Sequence, residues 1–200
     1  MQNHLVLLLP VAVVWWAAGY LAEGLPRMTH ARELRRHAGW LLGLTLVGLG
    51  LTVALPIAGL TTAGATLADR AAAGLALAAL PALVVALCTV RRVRRLRAGA
   101  GALAATARTP APHGLRAAAA HPLIGLPLQV TGLALLPALI TASGAAGYFG
   151  PGITGPAVTI GVLGVGAIGV RHALRHNRLA ERAMPQRSAT SPSPAGALHV

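Results

Sequence analysis

The chain has 200 residues, of which 10% are charged, and a mean hydropathy of +0.66. A soluble domain carries about 25% charged residues, and a soluble fold this apolar would expose large adhesive patches. Composition therefore argues against a water-soluble class and for lipid as solvent. The formal net charge of +13 does not indicate nucleic acid, because the basic residues flank apolar stretches instead of covering one folded face.

In chain order, residues 5–22, 39–60 and 71–90 contain no Asp, Glu, Lys or Arg. A helix of about 20 such residues crosses the hydrocarbon layer. Residues 5–14 have the character of a signal-peptide core. No basic leader precedes them, however, and the apolar run continues through Trp15, Trp16 and Leu21, so a retained first span is expected. From 117 to 170 there is again no formal charge, which is too long for one span. Gly147, Gly150, Pro151 and Gly152 break it in the middle, dividing it into spans at 123–146 and 153–170. The expected fold is all-α: an integral membrane bundle of five transmembrane helices in a domain covering 1–184.

Thr66 and Asp69 have the spacing of a helix cap at the start of span three. Residues 91–97 are expected to extend that span as a helix into a basic cytoplasmic loop, 91–122. Thr109-Pro110-Ala111-Pro112 interrupts this loop, and a short helix at 115–120 is expected to lie on the membrane. A basic helix runs from Arg171 to about Ala183. The Ser-, Pro- and Ala-rich remainder, 185–200, reads as a disordered cytoplasmic tail.

All 17 basic residues are arginines. Sixteen fall in 27–36, 91–116 and 171–187, and only Arg70 lies elsewhere. Retained arginine marks the cytoplasmic side. The N-terminus is thus expected outside and the C-terminus inside, with anionic lipid headgroups meeting the arginines. Absent lysine and abundant Ala, Gly, Arg and Pro imply a GC-rich, bacterial coding sequence and hence a plasma membrane. Cys88 is the only cysteine; it reads as a small hydrophobe inside a span.

Pro10, Pro56, Pro81, Pro127 and Pro137 lie within spans. Each removes a helix hydrogen bond and can kink its helix. Gly39, Gly43 and Gly50 share one face of span two, where small residues allow close helix approach. Packing within the chain is the default reading of that stripe, with a homodimer contact as the alternative.

Candidate chemistry is sparse. Trp16, Tyr20 and Glu23 follow i, i+4, i+7 spacing and share a face. Trp40 enters span two at a similar depth. A carboxyl group beside aromatic rings can serve as an acid, and the rings can stabilise a nearby cation. Integral membrane terpene cyclases need both ingredients; the likeness is one of chemistry, not of motif. The competing reading is an interfacial aromatic belt with a snorkelling acid.

His30, Glu33 and His37 share a helix face, as do His172 and His176. Arginines crowd both sets and would repel a metal cation, so no metal or cofactor is expected. His113, His121 and His199 stand alone. Gln129 is the main polar group at mid-span, with Thr45, Thr52, Thr131 and Thr159 near the same depth. There is neither a GxxxxGK[ST] phosphate loop nor a GxSxG nucleophile elbow.

Three functions follow. The first is a non-catalytic accessory or scaffold component with a protein partner. The second is a small membrane-embedded enzyme acting on a lipid or isoprenoid, with Glu23 as acid and Trp16, Tyr20 and Trp40 around it. The third is a transporter or channel subunit using the proline-kinked spans.

Overall fold

The structure, a computed structural model, describes residues 4–61, 66–105, 109–144 and 154–183; the side chains of 154–160 and 183 lie outside that description. All regular elements among the described residues are helical. They are α1 (Leu5–Gly24), α2 (Ala31–Thr61), α3 (Leu67–Val84), α4 (Val90–Leu103), α5 (His113–Ala119), α6 (Pro122–Ala134), α7 (Leu136–Ala142) and α8 (Thr154–Ala183). A 3-10 turn, Leu25–Arg27, closes α1, and a π-helical turn, Val85–Thr89, joins α3 to α4.

Four helical stretches are long and apolar enough to cross a membrane: Leu5–Arg27, Ala31–Thr61, Leu67–Leu103 and His113–Ala142. Helix α8 is 30 residues long and carries the fifth expected span together with the basic helix after it. The expected turn at 147–152 and the tail from 185 lie outside the described residues.

Local chemistry explains where the helices start and stop. The Thr66 hydroxyl accepts from the Asp69 main-chain N–H, and the Asp69 carboxylate accepts from the Thr66 main-chain N–H at 2.8 Å. This reciprocal capping box satisfies two orphan donors at the start of α3. Pro81 cannot donate, and the ladder relaxes into the π turn just after it. That turn carries Thr89, whose hydroxyl donates to the Leu123 carbonyl of α6 at 2.8 Å. The break between α6 and α7 falls at Leu135, with Pro137 in the first turn of α7, where a missing N–H costs least. Helix α4 ends at Leu103, before the Thr109-Pro110 pair. Instead, that pair bridges to the start of α2: Ala31 N–H donates to Thr109 O, and Ala111 N–H to Thr29 O.

The core forms where α1 meets α2 and α6. Trp15 is fully buried and donates its indole N–H to the Thr52 hydroxyl at 3.1 Å. Thr52 in turn donates to the Gly48 carbonyl at 2.7 Å. The Trp15 ring lies on Gly48, where a β-carbon would sit only 3.1 Å from it. The packed glycine of α2 is therefore Gly48. The stripe of Gly39, Gly43 and Gly50 does not form the expected internal seam, since Gly43 and Gly50 have nothing within 4 Å of an added β-carbon. Leu9, Val13, Val47, Val53, Leu77 and Leu80 face outward from their helices, as a lipid-facing belt requires.

Apart from Arg70, the described arginines gather at one end of this bundle. Arg116 donates to the Pro26 carbonyl, and Arg175 to the Glu23 carbonyl, at the end of α1. Arg97 of α4 packs over Gly39, and Arg35 of α2 over Gly101. Arg70 sits at the opposite end, beside the Asp69 cap that meets Gly59 near the end of α2.

Candidate functional site

Three helices bring their polar groups together where α1 ends. Gln129, on α6, donates from Nε2 to Glu23 Oε1 at 2.7 Å. Arg171, on α8, donates from Nη2 to Glu23 Oε2 at 2.9 Å. Arg175, one turn further, donates to the Glu23 main-chain carbonyl at 2.9 Å. His172 completes the set, with Nε2 at 3.0 Å from Gln129 Oε1.

The arrangement fixes its own hydrogens. A carboxylate offers only acceptors, so Gln129 must turn its NH2 toward Glu23. The amide oxygen then faces His172, and an amide oxygen cannot donate. His172 is therefore held with its proton on Nε2. The residue is 6% exposed, and burial pushes the imidazole below its ordinary range. Arg171 and Arg175 push in the same direction and Glu23 opposes them.

Two glycines make the approach possible. A β-carbon at Gly125 of α6 would collide with the His172 ring, and one at Gly132 would lie 2.6 Å from the Trp16 indole. The bare backbone at Gly132 also accepts the Trp16 N–H on its carbonyl at 3.1 Å.

A cavity of about 380 Å³ adjoins this cluster, lined by Trp16, Tyr20, Glu23, Gln129, Leu133 and Arg171 among others. Trp16, Tyr20 and Glu23 thus share a wall, as their spacing requires. Tyr20 is mostly exposed, and Trp16 is half-exposed. Trp40 does not join them. It lies in a separate cleft beside Arg32, Arg36 and Arg97, and is largely exposed. Both Glu23 oxygens accept hydrogen bonds, which suits an ion-paired strut better than a proton donor.

The other candidates are placed as follows. The His30 ring comes within 3.7 Å of the Glu33 carboxylate, but His37 turns back to donate to the Glu33 main-chain carbonyl at 3.0 Å. Among the described residues no three His, Cys, Asp or Glu side chains converge to hold a metal ion. Thr45 and Thr131 donate to carbonyls four residues earlier; the Thr159 side chain lies outside the described residues. His121 is not alone: its Nδ1 accepts from Leu123 N–H at 3.1 Å, and its ring meets that of His176 at 5.0 Å.

Sequence reasoning missed Arg171 and His172 as partners of Glu23. Both read as members of a basic helix end, and nothing in their spacing announces a carboxylate 148 residues away. Gly125, a small residue facing a large one, was the available signal.

No family model, curated protein or solved structure matches this chain.

Proposed function

We propose that this chain is a non-catalytic component of a bacterial plasma membrane, an accessory or scaffold subunit. In this reading it crosses the bilayer five times, with its N-terminus outside and its arginine-bearing end in the cytoplasm. The support for orientation is the gathering of arginines at one end of the bundle, as retained cytoplasmic charge requires.

One observation favours the structural role over an enzymatic one. The groups able to do chemistry at the end of α1 are engaged with each other: Glu23 with Gln129 and Arg171, Gln129 with His172. They form a clasp joining α1, α6 and α8. In a bilayer, where apolar contact supplies little net drive between helices, such bonds fix helix register. Glu23→Gln tests this. Under the structural reading it lowers the melting temperature of the detergent-purified protein, and Arg171→Gln adds little further loss in that background.

The enzymatic reading draws on a different observation, the 380 Å³ cavity with Glu23, Trp16 and Tyr20 on its wall. It expects Glu23→Gln to leave melting unchanged and to abolish turnover of a lipid or isoprenoid substrate.

A further inference from the structure

A second cleft, of about 650 Å³, opens beside the clasp between α8 and the ends of α1 and α5. Six arginines line it: Arg27, Arg116, Arg171, Arg175, Arg178 and Arg182. No carboxylate is among the lining residues; of the two nearby, Glu23 bonds to Arg171 and Glu181 is exposed on α8. Arg116 and Arg175 each donate to a main-chain carbonyl, at Pro26 and Glu23. Those carbonyls aim the guanidinium groups but carry no charge to neutralise them. Each guanidinium has five donors, so most remain for a ligand.

The remaining wall is apolar. Ala167, Val170 and Leu174 of α8 line the same cleft and lead away from the arginines toward the middle of the helix. Val170 and Leu174 are more than half exposed, so this wall continues into the lipid-facing surface. One end of the cleft therefore offers bidentate donors suited to phosphate, and the other offers hydrocarbon contact. A volume of this size is ordinary for a ligand site.

We infer that this cleft is a binding site for an anionic glycerophospholipid, its phosphate held by Arg27, Arg178 and Arg182 and an acyl chain lying along Val170 and Leu174. Basic pockets between membrane helices at the cytoplasmic face bind such headgroups. The crowding of charge is consistent with this: burial first, and then the neighbouring Arg27, push the Arg175 guanidinium below its ordinary range, with Glu23 acting against them. An anion between them would relieve that repulsion. A second arginine cluster, Arg35, Arg94 and Arg97 between α2 and α4, is lined otherwise only by Leu42, Ala98 and Gly101. It therefore serves as a control for charge alone.

The inference rests on the membrane-embedded reading of the chain, and the two fail separately. A protein soluble without detergent sinks that reading; loss of lipid selectivity in the detergent-purified protein sinks only this one. The test is native mass spectrometry of the full chain titrated with phosphatidylglycerol, phosphatidylcholine or inorganic phosphate. Phosphatidylglycerol should remain bound in preference to phosphatidylcholine, and inorganic phosphate should not displace it at equal concentration. R27Q/R178Q/R182Q should weaken phosphatidylglycerol binding on the order of tenfold or more, while R35Q/R94Q/R97Q, with equal charge removed, keeps it. If the first variant is not monodisperse, R178Q/R182Q gives the same reading. Equal weakening in both triple variants, or none in either, overturns the site. Displacement by inorganic phosphate overturns the lipid and leaves a simple anion site.

Discussion

Glu23 and Gln129, 106 residues apart, meet at 2.7 Å where α1 crosses α6. That single bond sets the geometry of everything around it. It turns the Gln129 amide, which fixes the His172 proton, and it leaves the second Glu23 oxygen for Arg171.

Replacing Gln129 with Leu should therefore cost more than one hydrogen bond. Both Glu23 and His172 lose a partner in a part-buried setting, a penalty of roughly 1–3 kcal/mol. Thermal unfolding in detergent should show a drop of several degrees, given roughly 2–4 °C per kcal/mol for a chain of this size. Gln129→Glu should be worse, since it sets two carboxylates face to face. A Gln129→Leu protein that melts with the wild type would remove the clasp from the account.

Gly125→Ala should push the His172 ring out of its seat, because the added methyl occupies the ring's position. Overpacking of this kind typically costs about 1–3 kcal/mol. The diagnostic is non-additivity: in a His172→Ala background the same Gly125→Ala change should cost much less. Gly114→Ala, which meets nothing within 4 Å, serves as the reference. Equal costs in both backgrounds would mean that the α6–α8 seat is not as described.

The sign of the pH effect follows from His172. Its folded pKa is lowered by burial, so on acidification the unfolded chain takes up a proton before the folded one does. Stability is thus highest above the ordinary imidazole range and falls as pH drops through it. Melting temperatures between pH 8 and pH 5 should decline, and His172→Gln should flatten part of that decline. An unchanged slope in the variant would assign the effect elsewhere.

Much of the fold was legible because lipid imposes simple rules. Charge-free stretches marked the spans, and Thr66 with Asp69 announced the start of α3. The arginines after Val90 continued its helix, as helical spacing allowed. The site was less legible, because its contacts cross between helices. Trp15 and Trp16 are neighbours in sequence, yet a 100° step sends one into the core against Thr52 and the other to the Gly132 backbone. Depth alone placed Trp40 near Tyr20, but α2 turns it toward Arg36 and Arg97. Likewise, residue size could not tell Gly48, under Trp15, from Gly43, where an added β-carbon would meet nothing within 4 Å.

The central claim is that the arginine-bearing end of this helical bundle lies in the cytoplasm, and cysteine labelling in intact cells tests it directly. With Cys88 replaced by alanine, Thr61→Cys reports the end of α2 far from the clustered arginines, and Gly114→Cys reports the arginine end. A membrane-impermeant maleimide should label Thr61→Cys in intact cells and Gly114→Cys only after permeabilisation. Labelling of Gly114→Cys alone in intact cells would invert the orientation, and labelling of both would contradict a bilayer-spanning bundle.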